Sequence, residues 1–232
     1  MIIEVRMYPE KSTGVITYPI AYKRKLTGIY YNVMEQAYGK KFTEMFHKNT
    51  GVPKMVAISD LFPRGKLVGD NVAARAKYLK FYISSPNDTL VTPFLSVDEI
   101  VFLGKKWHVE ADTVDVDVNR IKYFKTLSPV KVTSNDKRTG LSAGSLLFWE
   151  TLYRNFERKY KLLHGDSVNV EFDILSMKKR VVKVYKNEKI LNFDTYDLEF
   201  KINNADVKIL RTLEAGLGES NLTGFGFVLP IA

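Results

Sequence analysis

The 232-residue sequence predicts an α+β protein built from two successive units with one order of elements, β-α-β-β-α-β. Three observations carry this expectation. Period-2 and period-3.6 apolar patterns follow one another in that order twice along the chain. The length suits two domains of ordinary size, each with its own core. With 45% hydrophobic residues and no apolar run near twenty residues, the chain reads as folded, without a transmembrane helix. The order is that of tandem ferredoxin-like domains, expected at residues 1–126 and 127–232 and joined near Lys125 to Ser128.

Within the first unit, "IIEVRMYP" alternates like a half-buried strand and stops at Pro9. In "YKRKLTGIYYNVMEQAY", Leu26, Ile29, Tyr30, Val33, Met34 and Ala37 recur at helical spacing. A short helical turn, "FTEMFHK", should follow, with Phe42, Met45 and Phe46 as its apolar face. "KMVAISDLF" and "KYLKFYISS" read as strands, "TPFLSVDEIVFLG" as a helix, and "KKWHVEADTVDVDV" as a long strand closing the unit. In the second, "SPVKVTS" reads as a strand and "SAGSLLFWETLYRNFERKYKLL" as a long helix. "NVEFDILSM" and "RVVKVY" suggest a hairpin extended by "DTYDLEFKI". "NADVKILRTLEAG" reads as a helix capped by Asn204, with Val207, Leu210 and Leu213 on one face and Gly216 as its stop; "FGFVL" is the last strand.

Without cysteine, the chain has no disulfide, thiolate nucleophile or cysteine-ligated zinc, and the cytoplasm is the expected compartment. Residues 1–7 alternate where a secretory leader would be continuously apolar, so no leader is expected. The formal charge of +9 is spread over both halves and not gathered in a tail, which points to a folded polyanion-binding surface.

Five groups of residues can be weighed as candidates. Drawn at 100° per residue, Tyr31 falls about 130° from the apolar stripe of the first helix, and His47 about 140° from Phe42. Lys54 follows in "GVPK", so a phenol, an imidazole and an ammonium lie on neighbouring elements; exposed surface residues are the bland alternative. His108, inside a strand, and His164, at a helix end, read as solvent-facing or capping. Asp112, Asp115 and Asp117 lack the His or Glu partners of a coordination shell and read as a solvated strand, so no metal or other cofactor is expected. Lys178, Lys179, Arg180 and Lys183 form a basic run on the expected hairpin, a solvated face or a track for a phosphate backbone. Finally, "GLGESNLTGFGF" pairs Gly216 and Gly218 with Gly224 and Gly226. Such a loop brings backbone close to a ligand or packs tightly against protein. It fits neither a Walker loop nor a dinucleotide fingerprint.

That loop, "GLGESNLTGFG", resembles the Gly-hydrophobic-Gly, five residues, Gly-hydrophobic-Gly loop of the CRISPR-associated endoribonucleases that cut repeat RNA into guide RNAs, within the RAMP superfamily. The opening strand ending "YPE", the "GIYYN" helix, "FHKNTGVPK" and "TLSPV" extend the resemblance over the chain. It implies an active site of Tyr31, His47 and Lys54, and RNA contacts by the four glycines and the basic run. It also implies metal-independent cleavage of CRISPR repeat RNA by 2′-hydroxyl attack, leaving 2′,3′-cyclic phosphate and 5′-hydroxyl ends. The family usually carries Lys or Arg among the five central loop residues, where "ESNLT" has none and places Glu219. The alternatives are a catalytically silent RNA-binding subunit of the same superfamily and a metal-dependent nuclease using Asp112 to Asp117. Subunits of a CRISPR effector complex and a second copy of the chain are candidate partners beside the RNA; a membrane is not.

Overall fold

The computed structural model describes residues 1–11, 14–48, 52–117, 121, 123–134, 140–186, 189–203 and 205–231. Within these, the side chains of His47, Tyr185, Lys186, Lys189 and Ile190 lie outside the description. Strand β1 (Ile2–Pro9) alternates as expected, with Ile3, Val5 and Met7 fully buried. It is the middle of a five-stranded sheet, flanked by antiparallel β6 (Leu79–Ser84) and β8 (Lys105–Thr113). Short β3 (Ala57–Ile58) and β7 (Glu99–Phe102) form the edges, in the order β3-β6-β1-β8-β7. Without β7, the order β3-β6-β1-β8 is that of a ferredoxin-like unit.

Helix α1 (Lys23–Tyr38) covers this sheet with Leu26, Ile29, Tyr30, Val33 and Met34. It stops at Gly39, whose N–H donates to Glu35 O at φ 81. Gly28 sits in its interior, where glycine costs about 1 kcal/mol against alanine. Helix α2 (Lys40–Lys48) packs Phe42 and Phe46 on the same core, but Met45, expected beside them, is 66% exposed; Thr43 takes the buried position.

Three features of the first half depart from expectation. "TPFLSVDEIVFLG" is not one helix: 3-10 turns at Asp88–Leu90 and Thr92–Ser96 give way to β7, with Ile100 and Phe102 buried and Glu99 and Val101 exposed. The two-residue turn Leu103-Gly104, both at positive φ, folds β7 onto β8, and this hairpin geometry overrides the helical reading. An unanticipated three-stranded sheet, β2-β5-β4, joins β2 (Val15–Pro19), β4 (Lys66–Val68) and β5 (Asn71–Arg75). The Gly69-Asp70 turn in "LVGDNV" was its sequence signal. The long strand expected over "KKWHVEADTVDVDV" ends at Thr113.

In the second half, β10 (Phe172–Lys186), β11 (Lys189–Ile202), β9 (Tyr123–Thr126) and β12 (Val228–Ile231) form an antiparallel sheet in the order β10-β11-β9-β12. This repeats the order of the first sheet, so both halves have the ferredoxin-like α+β topology. The opening strand is β9, not "SPVKVTS"; Val130 makes only an isolated bridge to Tyr196, and Val130 and Val132 plug the core as loop residues. By pairing, β9 belongs to the second sheet. The hairpin does not turn between Met177 and Arg180; β10 runs through both, with a register shift between Ile174 and Ser176.

Helix α3 (Leu146–His164) starts at Ser145, whose Oγ accepts from Phe148 N at 3.3 Å, and stops at left-handed Gly165. Helix α4 (Val207–Glu214) is capped by Asp206, whose carboxylate accepts from Ile209 N at 2.8 Å. Asn204, the expected cap, lies outside the described residues. Val207 is exposed, while Leu213 is buried and Leu210 half-buried as expected, with Ile209 completing the buried face.

The halves share packing. Leu222 enters the first core, while Ile2 and Ala57 meet Phe227 in a small cluster between the sheets. Among the described residues, no helix is long and apolar enough to cross a membrane.

Candidate functional site

Tyr31 and Lys54 converge on one residue, Phe46. The half-buried Tyr31 ring lies 6.4 Å from Phe46 and 5.6 Å from Tyr30, edge-on to both. The Lys54 ammonium donates to Phe46 O and sits 4.8 Å from the centre of its ring. Burial raises the Tyr31 phenol above its ordinary pKa and lowers the Lys54 amine. His47 follows Phe46 in α2, and its side chain lies outside the described residues.

Helical spacing ties this corner to the far end of the chain. Lys23, Thr27 and Tyr31 follow at intervals of four, each about 40° further round α1. The Lys23 ammonium donates to Gly224 O, and Thr27 Oγ1 donates to Leu222 O at 3.3 Å. The glycine-rich loop therefore docks on the flank of α1 that carries Tyr31, with Thr27 about 6 Å along the axis from it.

All four loop glycines are buried. Gly226 has φ +61, and a Cβ there would lie 1.9 Å from Leu217 O; at Gly218, φ +67, it would lie 2.5 Å from Lys131 O. Close backbone approach within the protein thus requires glycine at both positions. Under the loop, the buried Lys159 ammonium donates to Gly216 O (2.6 Å), Gly218 O (3.2 Å), Ala215 O (3.3 Å) and Asn221 Oδ1 (2.6 Å). Asn221 Nδ2 in turn donates to Leu217 O and Phe225 O. Burial, opposed by the Glu219 carboxylate, pushes the Lys159 amine down to about 7, while the four oxygens favour its charged form. The amides of Gly216, Leu217, Glu219, Thr223, Gly224 and Gly226 all donate to protein carbonyls. Glu219 also turns inward, accepting from Thr133 Oγ1 at 2.7 Å. Ser220 is the exposed tip.

The basic run does not share one face, because neighbours in a strand alternate. Arg180 reaches Asp60 Oδ2 at 2.9 Å and Asp197 Oδ1 at 3.1 Å, Lys179 pairs with Asp194 at 2.7 Å, and Lys178 and Lys183 are exposed. Asp60, 1% exposed, also accepts from Lys23, and Arg64 stands 3.5 Å away. Burial works to raise the Asp60 carboxyl, but Lys23 and Arg180 hold it below its ordinary value. Burial lowers the Lys23 amine against the pull of Asp60.

Lys23, Asp60 and Lys159 escaped the sequence reading. For the lysines a signal existed: Lys23 falls on the buried stripe of α1, and Lys159 follows Phe148, Leu152 and Phe156 on the buried stripe of α3. Of the remaining candidates, His164 Nε2 lies 3.1 Å from Lys208 O and 3.3 Å from Thr212 Oγ1, tying α3 to α4. His108 is exposed beside Tyr8, and Asp112 is ion-paired with Arg6. Asp115 and Asp117 lie beyond the end of β8, and no group of three or more His, Asp or Glu side chains gathers as cation ligands among the described residues.

The family model described as CRISPR associated protein Cas6, C-terminal, matches residues 112–229, just over half of the chain. The chain belongs to the Cas6 family. No curated protein matches it. Solved structures extend the likeness to this Cas6-family chain as a whole. One described as CRISPR associated protein Cas6 is 22% identical, with a TM-score of 0.76, over 100% of this chain and 99% of its own. A Cas6-related gene product from Pyrococcus furiosus is 17% identical, with a TM-score of 0.74, over 100% and 98%. A RAMP protein described as binding different RNA substrates is 19% identical, with a TM-score of 0.75, over 100% of both chains. At these identities the likeness establishes the fold, and the family model establishes a CRISPR-associated, repeat-processing family.

Proposed function

We propose that this Cas6-family protein is an endoribonuclease that cuts CRISPR repeat RNA without a metal ion, using Tyr31, His47 and Lys54. The observation that carries the reading is the meeting of Tyr31 and Lys54 at Phe46, next to His47, on the helix flank that receives the glycine loop. In the reaction, the ribose 2′-hydroxyl loses its proton and attacks the adjacent phosphorus, the bond to the 5′-oxygen breaks, and that oxygen takes a proton. The products carry a 2′,3′-cyclic phosphate and a 5′-hydroxyl. An imidazole at position 47 suits either proton transfer. The Lys54 ammonium suits the charge that develops on the phosphorane, and the Tyr31 phenol orients the phosphate or shares the acid role.

Recognition is assigned to the exposed basic side chains Lys178 and Lys183, with Lys179 and Arg180 beside them, and to the surface of the loop carrying Gly216, Gly218, Gly224 and Gly226. Given the internal bonding of that loop, its glycines act by shaping it and its tip meets RNA. We further propose two domains that divide ahead of Tyr123, since β9 pairs in the second sheet.

The test is incubation with the CRISPR repeat RNA of the same genome in EDTA, followed by analysis of product ends. Cyclic phosphate ends are expected, and a substrate with 2′-deoxyribose at the scissile position should bind and stay intact. Cleavage of the deoxy substrate would exclude the mechanism. Binding without cleavage would reduce the protein to an RNA-binding subunit. His47→Ala should retain RNA affinity and lose at least about 10²-fold in rate; an unchanged rate would move the chemistry elsewhere.

A further inference from the structure

Nothing among the described residues calls for glycine at position 28. It is an interior residue of α1, without the positive φ that favours glycine, and among the described residues a Cβ added to it would meet nothing within 4 Å. Helical geometry places it roughly 170° from the centre of the buried stripe formed by Leu26, Ile29, Tyr30, Val33 and Met34. It lies on the outer ridge of the helix. Its neighbours one turn away are Arg24, Lys25, Tyr31 and Asn32, with Arg24, Lys25 and Asn32 exposed and Tyr31 half-buried. Tyr31 lies about 60° round the helix from Gly28, on the side facing the docked glycine loop, and Thr27 a further 40° toward that loop. A glycine that weakens its helix and serves neither backbone nor core leaves space for something outside the protein.

We infer that Gly28 keeps the outer ridge of α1 bare so that the backbone of the repeat RNA lies directly on the helix beside Tyr31. This inference rests on the functional reading above. The glycine loop and the Gly28 ridge flank Tyr31, so a strand crossing from one to the other passes over it. Arg24 and Lys25, one turn before Gly28, supply positive charge for the phosphates on that path. A methyl group at position 28 lifts the strand away from the helix, and displacements near 1 Å at a reacting centre cost up to about 10²-fold in rate.

The experiment compares wild type with Gly28→Ala and Gly28→Gln, measuring thermal unfolding and, with labelled repeat RNA from the same genome, affinity and single-turnover cleavage. Gly28→Ala is expected to melt about 2–4 °C higher yet bind or cut about tenfold or more worse, and Gly28→Gln to bind or cut worse still. A loss of function beside a gain in stability does not come from unfolding. Variants that bind and cut like wild type would overturn the inference, as would a Gly28→Ala protein that melts lower. A wild type that fails to bind the RNA would remove the functional reading itself.

Discussion

Asp60 has no side-chain freedom to hydrate, and its charge is balanced by Lys23 and Arg180 from two other elements. Asp60→Ala leaves those cations without their buried partner and should cost about 3–5 kcal/mol at neutral pH, read from denaturant unfolding. The folded carboxyl titrates below its ordinary value of 3.8, so its contribution is present above that value. It disappears as pH falls through the folded value, and wild type and variant should converge in acid; a constant difference would refute the ion-pair account. The Lys159 amine is also lowered by folding, but there the shift disfavours the charged form. Its amine is held near 7 when folded against 10.5 when free, so the unfolded chain binds more protons between those values. Stability should climb with pH across that window, and Lys159→Met should lack the climb. That variant also leaves four oxygens without their donor, at a cost of about 2–4 kcal/mol at pH 7. A parallel pH profile for both proteins would show that the amine does not titrate there.

The glycine loop is a buried, internally hydrogen-bonded insert between α4 and β12, held by Lys159 beneath and Lys23 beside it. Its glycines are not equivalent. A Cβ on Gly226 strikes the Leu217 carbonyl, which is backbone, whereas the nearest atoms to one on Gly224 belong to the Lys23 side chain, at 3.4 Å. Gly226→Ala should lose about 3 kcal/mol or more and Gly224→Ala about 1–2 kcal/mol, measured as shifts in urea midpoint. Equal losses would mean that the clash with Leu217 O is relieved by movement of the loop. The sequence pattern identified this loop as a place of close approach, and the approach observed is of protein to protein. The place of Glu219 becomes clear only in three dimensions, where its carboxylate accepts from Thr133 and attracts the Lys159 ammonium.

Over the whole molecule, the two sheets are joined by shared packing at Leu222, Ala57 and Phe227, and by the bond from Asp60 N to Leu127 O. The halves should therefore unfold together. Trp107 lies in the first half and Trp149 in the second, so Trp107→Phe and Trp149→Phe each leave one fluorescent reporter. Coincident denaturant midpoints are expected relative to circular dichroism of the same variant, and separated midpoints would show independent domains. The α+β class with two ferredoxin-like halves, and helices α1 and α3, were legible from periodicity, because burial of one face imposes its period on the residues. So was the position of Tyr31 off the buried stripe of its helix. The hairpin Glu99–Thr113, the three-stranded sheet and the true opening strand of the second half were not, since short strands pair through turns and distant partners that leave little local pattern. By itself the sequence determined which residues must face inward and where the chain could approach itself closely. Only the tertiary structure decided which partners Lys23, Asp60, Lys159 and Arg180 hold and that the last loop of the chain lies against the helix of Tyr31. A buried charge is stable only beside partners that the fold brings from other elements, and no local pattern records them.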